Sequence, residues 1–166
     1  MRYAQIRKYD VANGPGIRTS FFVTGCTNNC KGCFNKEYQD FNYGEIWTSN
    51  ETRKIINNLK EKEIEGLTIL GGEPFENADG LIEILADIRK ETKKSIRIYS
   101  GFTFEKLVQN EKTKKLLELC DILVDGLFVE AKKDLRLRFR GSSNQRIINI
   151  KQSLEKGQVQ LEEEFI

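Results

Sequence analysis

The sequence predicts an α/β protein built on a parallel sheet, and three observations carry that prediction. Four short runs rich in β-branched and aromatic residues recur along the chain, segments with helical apolar spacing separate them, and each run ends in a loop of glycine, proline, cysteine or aspartate. Parallel strands need crossovers of a dozen or more residues, which helices supply, so strand and helix in alternation imply a parallel sheet.

Each element has its own signature. IRTSFFVTG, Ile17 to Gly25, is β-branched and aromatic and reads as a buried strand running straight into a cysteine loop. Thr48 with Glu51 three residues on forms a capping box, and Ile55, Ile56, Leu59 and Ile64 then fall close to helical spacing. The apolar run Leu67 to Leu70, stopped by Gly71 and Gly72, suits a strand covered on both faces. Leu81, Ile82, Leu85 and Ile88 repeat the amphipathic stripe, SIRIYSG supplies a third strand, and Thr103 to Leu119 reads as one or two helical pieces. DILVDG, Asp121 to Gly126, is the fourth strand. After Val129 the pattern weakens: AKKDLRLRFRGSSNQ mixes charge with a few apolar residues, and the polar tail QLEEEF is expected to fray.

In parallel α/β folds, closed barrel or open sheet, sites lie beyond the carboxyl ends of the strands. CTNNCKGC, GGEP, YSGF and VDGLF each follow a predicted strand there, so four loops should converge on one mouth. With 166 residues the chain falls short of a complete eight-unit barrel, which takes about 250, and one domain over residues 1–166 is the expectation.

Composition excludes several classes. The 27 basic and 25 acidic side chains nearly cancel, leaving no basic field to attract nucleic acid. MRYAQIRKYD holds no apolar stretch of signal-peptide length, and no apolar run approaches the ~20 residues of a membrane span, so a cytoplasmic protein with no membrane partner is expected. Histidine is absent, which removes the commonest general acid/base, the Ser-His and Cys-His nucleophile pairs, and the commonest metal ligand.

The chemistry therefore points to CTNNCKGC, where Cys26, Cys30 and Cys33 place three of the four cysteines in eight positions. In a reducing compartment clustered thiols are more often metal-binding or catalytic than disulfide-bonded. A structural zinc site would need a fourth ligand, from Cys120 or a carboxylate, and Cys120 sits where free cysteine behaves as a small core hydrophobe. A redox dithiol would use two cysteines and leave Cys26 idle. A 4Fe-4S cluster uses all three and leaves one iron open for a substrate or cofactor.

The C-x3-C-x2-C loop after the first strand, with GGEP after the second, resembles the radical S-adenosylmethionine superfamily. Within it, VANGPGIRTSFFVTGC, CKGCFN, LGGEP, YSGF, DILVDGLF and RGSSNQR look most like the group that activates anaerobic ribonucleoside-triphosphate reductase. The resemblance implies a partial, incomplete parallel β/α barrel of the radical SAM type. It implies a 4Fe-4S cluster on Cys26, Cys30 and Cys33 whose open iron is chelated by S-adenosyl-L-methionine. Reductive cleavage of that cofactor yields a radical that takes hydrogen from a glycine Cα of the partner, leaving a glycyl radical. The implied partners are the glycyl radical subunit of the reductase and a flavodoxin-like electron donor.

Further site residues follow from the resemblance. Gly71 and Gly72 would let a ligand approach the backbone, and the Glu73 carboxylate would meet the cofactor's ammonium; a plain β-to-α turn is the alternative. Ser100 is either a hydrogen-bond partner for ribose or carboxylate or a strand-end turn. The superfamily's aromatic before the third cysteine is Gly32 here and Phe34 follows instead, so backbone from Gly32 to Phe34 is expected to make the adenine contact. Arg18 pairs either with a cofactor carboxylate or within the fold, and RGSSNQR grips either partner or cofactor. Rival targets are a different glycyl radical enzyme or a small molecule, and a structural zinc module is the rival of another class.

Overall fold

A computed structural model describes residues 1–162. One mixed sheet of seven strands runs β3-β1-β2-β4-β5-β6-β7. The strands are β1 (Arg2–Asp10), β2 (Ile17–Val23), β3 (Glu45–Ile46), β4 (Ile64–Gly71), β5 (Ser95–Tyr99), β6 (Ile122–Asp125) and β7 (Arg146–Asn149). Helices are α1 (Ser49–Leu59), α2 (Ala78–Glu91), α3 (Phe104–Leu107), α4 (Glu111–Glu118) and α5 (Ile150–Lys156).

The four strands read from the sequence are the parallel centre, β2-β4-β5-β6, with Phe22 opposite Leu70 and Ile69 opposite Ile98. The outer strands correct the purely parallel reading: β1 runs antiparallel to β2, β3 to β1 and β7 to β6. A strand returning without a helical crossover can only pair antiparallel, and the NGPG turn between β1 and β2 leaves no room for a helix. Ile64 is a second correction. Helix α1 starts at the predicted Thr48 capping box but stops at Leu59, and Ile64 opens β4 fully buried.

Because β2, β4, β5 and β6 follow one another in chain order, right-handed crossovers put all their helices on one face. Phe21, Leu67, Ile69, Ile96, Ile98 and Leu123 meet Ile55, Leu81, Leu85, Ile88 and Leu116 there in the main core. Cys120 lies in that core, 5% exposed, and burial pushes its thiol pKa up. The period-2 alternation of strands turns Phe22, Leu70 and Tyr99 to the opposite face, to which no α-helix contributes among the described residues. Residues 160–162 do not fray: Gln160 and Glu162 hydrogen-bond Asn149 and Ile147 backbone at 2.9 and 2.8 Å. The rest of QLEEEF lies outside the described residues. Among the described residues no helix is long and apolar enough to cross a membrane.

Candidate functional site

A cavity of about 600 Å³ opens at the carboxyl ends of the parallel strands, within the size range of small-molecule sites. All four predicted loops reach it: Cys26, Cys30 and Cys33; Gly71 to Glu73; Ser100 and Gly101; Gly126 and Phe128.

The cysteine loop is clamped at both ends before it can wrap anything. Gly25 N–H donates to Tyr38 O at 2.8 Å and Cys26 N–H to Gln39 O at 3.0 Å, and Gly25 holds φ 100, a value that glycine adopts without strain. Thr27 donates through both its N–H and its hydroxyl to Glu76 Oε1, at 2.9 and 2.8 Å. Asn28 N–H points at Cys26 Sγ, 3.4 Å away. Burial raises the Cys26 and Cys30 thiol pKa values, and N–H groups of Asn28 and Phe128 pull them back. Among the described residues no group of three Cys, His, Asp or Glu is drawn together as a single metal ion requires. All three thiols line the one cavity.

Glu73 ties three loops together. Its carboxylate is 1% exposed and accepts from Asn28 Nδ2 (3.2 Å), Gly101 N–H (2.7 Å), Phe75 N–H (3.0 Å) and the Ser100 hydroxyl (3.0 and 3.1 Å). Burial pushes its pKa up to about 7, against the opposite pull of the donated hydrogen bonds. No lysine or arginine pairs with it among the described residues. A buried carboxylate surrounded by donors, at a cavity and without a cation, is chemically suited to an ammonium group.

The other expected site residues divide. A Cβ on Gly72 would stand 2.7 Å from the carbonyl oxygens of Gly25 and Tyr38, and one on Gly71 would strike Val23 backbone. These glycines let the GGEP turn pack on the root of the cysteine loop, where Gly72 and Glu73 N–H groups bond Val23 O and Gly25 O at 2.9 and 2.8 Å. The Ser100 hydroxyl is committed internally, donating to Glu73 and accepting from Phe102 N–H at 2.9 Å. Phe34 stands at the rim, 58% exposed, its ring 4.9 Å from that of Phe128. Gly32 is not among the cavity's lining residues and faces the Glu130 side chain.

Arg18 is buried and bonds Thr68 Oγ1 and Leu67 O, both at 2.9 Å, within the fold and away from the cavity lining. RGSSNQR spends much of its polarity on its own loop and the one after β6: Asn144 donates to Leu127 O (2.8 Å), Gln145 to Gly126 O (3.0 Å), and Arg140 to Gln145 O (2.6 Å). The sequence reading missed Asn28 and Glu76 as loop anchors and Arg7 as part of the cavity wall. No spacing in the sequence marks Asn28 or Glu76, whose contacts lie 45 and 49 residues away, and Arg7 stands on β1, whose exposed Arg7, Lys8 and Tyr9 hide the strand.

With this geometry in view, comparison with known proteins is informative. The chain belongs to the 4Fe-4S single cluster domain family, whose model matches residues 12–148, from before β2 to within β7. The relatives it matches are more particular. It is 35% identical over 156 residues to the anaerobic ribonucleoside-triphosphate reductase-activating protein of Haemophilus influenzae, covering 91% of this chain and 99% of the relative. Identity to the protein of that name from Escherichia coli K12 is 37% over 150 residues, covering 87% and 96%, and to that of bacteriophage T4 32% over 150 residues, covering 89% and 93%. The chain is thus a member of the anaerobic ribonucleoside-triphosphate reductase-activating protein family.

Proposed function

We propose that the chain activates an anaerobic ribonucleoside-triphosphate reductase by generating a glycyl radical on it, with a 4Fe-4S cluster and S-adenosyl-L-methionine as cofactors. One observation carries this reading: three thiols, and only three, line the cavity where the strand-end loops meet, while the fourth cysteine is locked in the core. A three-thiolate set suits an iron–sulfur cluster with one open iron. When bound, the two cofactors together supply one-electron chemistry able to take a hydrogen atom from a glycine Cα.

The chain's own residues bind, orient and exclude water. Cys26, Cys30 and Cys33 are the cluster ligands in this reading, and the Asn28 N–H stabilises negative charge on Cys26 sulfur. Glu73 would hold the cofactor's ammonium, Gly71 and Gly72 would let it approach the backbone, and Ser100 acts through Glu73 by fixing its carboxylate. Of the backbone from Gly32 to Phe34 expected at the adenine, Cys33 and Phe34 line the cavity, so the adenine side is assigned to those two. Phe22, Leu70 and Tyr99 give the cavity an apolar floor that keeps water from the reacting atoms. No proton relay is needed for hydrogen-atom transfer, consistent with a chain that lacks histidine.

Residues 1–166 are read as a single domain forming an incomplete β/α barrel of the radical SAM type. Crossovers stacked on one face support this, because a doubly wound sheet would carry helices on both. A flavodoxin-like donor and a cytoplasmic setting complete the proposal. The test is electron paramagnetic resonance of the reduced protein incubated without oxygen with S-adenosyl-L-methionine and the reductase. A glycyl doublet that requires all three components is expected; its absence with the reductase, alongside its appearance with another glycyl radical enzyme, would reassign the target.

A further inference from the structure

The segment after β6 overhangs the cavity and does something that the cofactor reading leaves unexplained. Residues 132–140, KKDLRLRFR, hold five basic side chains and one acidic one, a larger positive excess than the +2 of the entire chain. The segment is a folded flap, closed by a Lys133–Ser142 bridge and by Ser143 N–H on Lys132 O at 3.0 Å. Leu135, Leu137 and Phe139 line the cavity together with Asp134 and Arg140, while Arg136 and Arg138 are exposed, Arg136 paired with Asp134 at 2.9 Å. Leu135 is nevertheless 85% exposed, the most exposed large apolar side chain among the described residues, and Phe34 beside the flap's root is 58% exposed. The Lys133 ammonium lies 5.1 Å from the Phe34 ring centroid, joining the flap to the cysteine loop.

We propose that this flap is the docking surface for the partner reductase, receiving a polypeptide segment that carries acidic side chains next to apolar ones. The inference rests on the activation reading and adds the chemistry by which the partner is recognised. Two features choose this occupant. A solvated charge run has no reason to present Leu135 and Phe34 to water, whereas an interface centre of apolar anchors with a charged rim does. Leu135 also lines the cavity, so whatever covers it continues inward to the thiols, as a substrate segment must and as an electron-donor protein docked from outside need not. The basic excess then steers and orients an acidic partner, an effect weakened by salt.

The test compares the unaltered chain with Lys133→Glu/Arg136→Glu, with Leu135→Asp, and with Lys114→Glu as a remote charge control on α4, each cluster-loaded without oxygen. Affinity for the intact reductase is measured by fluorescence anisotropy at low and high salt, and cluster reduction by an acidic flavodoxin is timed on the same samples. Circular dichroism and iron content verify that each variant is folded and loaded. Expected is a ~10-fold loss of reductase affinity for the charge-reversal pair at low salt, shrinking at high salt, and a ~10-fold loss for Leu135→Asp that persists in large part at high salt, because the apolar anchor is absent at any ionic strength while only the repulsion of the new charge is screened. Lys133→Arg/Arg136→Lys should restore affinity, and the control should match the unaltered chain. Unchanged reductase affinity in both flap variants overturns the proposal while leaving the activation reading intact. Slower flavodoxin reduction with unchanged reductase affinity also overturns it, assigning the flap to the donor. No binding and no glycyl doublet with the unaltered chain would overturn both.

Discussion

Replacing Glu73 by glutamine removes a buried charge but keeps the side chain's shape, and the structure gives the sign and size of the effect in the cofactor-free protein. Burial raises the carboxyl from an ordinary 4.5 to about 7, so the folded state keeps a proton that the unfolded chain has already released. The stability tied to this group is fully present below about pH 4.5 and is lost as the pH rises through about 7. At about 1.4 kcal/mol per tenfold change in protonation equilibrium, the loss on reaching pH 8 is about 3 kcal/mol. Glutamine carries no such slope but cannot satisfy the same donors. Oε1 takes Asn28, Gly101 and Ser100, and Oε2 takes Phe75 and Ser100, so an amide NH2 at either place confronts another N–H. That mismatch costs about 1–3 kcal/mol. Glu73→Gln is therefore expected to be less stable than the unaltered protein at pH 5 and to close the gap by pH 8. Urea unfolding followed by circular dichroism, at constant ionic strength and under reducing conditions, measures both profiles. Parallel profiles across that range would refute the reasoning, because they would mean that the carboxyl does not change its charge there.

Other predictions follow from the same framework. Arg146→Leu strands Asp125, which is 1% exposed and 2.6 Å from the guanidinium, and should cost about 3 kcal/mol by chemical unfolding; adding Asp125→Asn should recover part of it. Gly72→Ala drives a methyl against the Gly25 and Tyr38 carbonyls, so iron uptake should fall although far-ultraviolet circular dichroism still reports a folded chain. Cys120→Ala should lower stability by about 1 kcal/mol and leave iron content unchanged, since the thiol is 5% exposed in the main core. Iron loss in that variant would place a fourth cysteine at the site.

What the sequence disclosed and what it withheld divide along physical lines. The central strands were readable because β2, β4, β5 and β6 are largely buried and rich in β-branched and aromatic residues, and each ends in a loop marked by cysteine, glycine or aspartate. The strand β1 was not, since its exposed Arg7, Lys8 and Tyr9 break that pattern and its pairing is decided by the NGPG turn and by β2. The strand β7 was hidden for a similar reason: RIIN is only four residues long and follows a charged irregular stretch. Ile64 misled because an apolar residue eight positions past Ile56 fits helical spacing, while the turn at residues 60–63 that ends α1 carries neither glycine nor proline. At the site, the cysteines and GGEP were legible from spacing. The inward roles of Ser100, Asn28 and Glu76 were not, because they depend on which loops the sheet brings within about 3 Å of one another.

The most direct test of the account is the iron, acid-labile sulfide and zinc content of protein prepared without oxygen, measured for the unaltered chain and for Cys26→Ala, Cys30→Ala, Cys33→Ala and Cys120→Ala. About four irons with matching sulfide in the unaltered chain and in Cys120→Ala, lost in each of the other three, is the predicted result. About one zinc per chain without sulfide, or an unimpaired cluster after removal of any one of Cys26, Cys30 or Cys33, would contradict it.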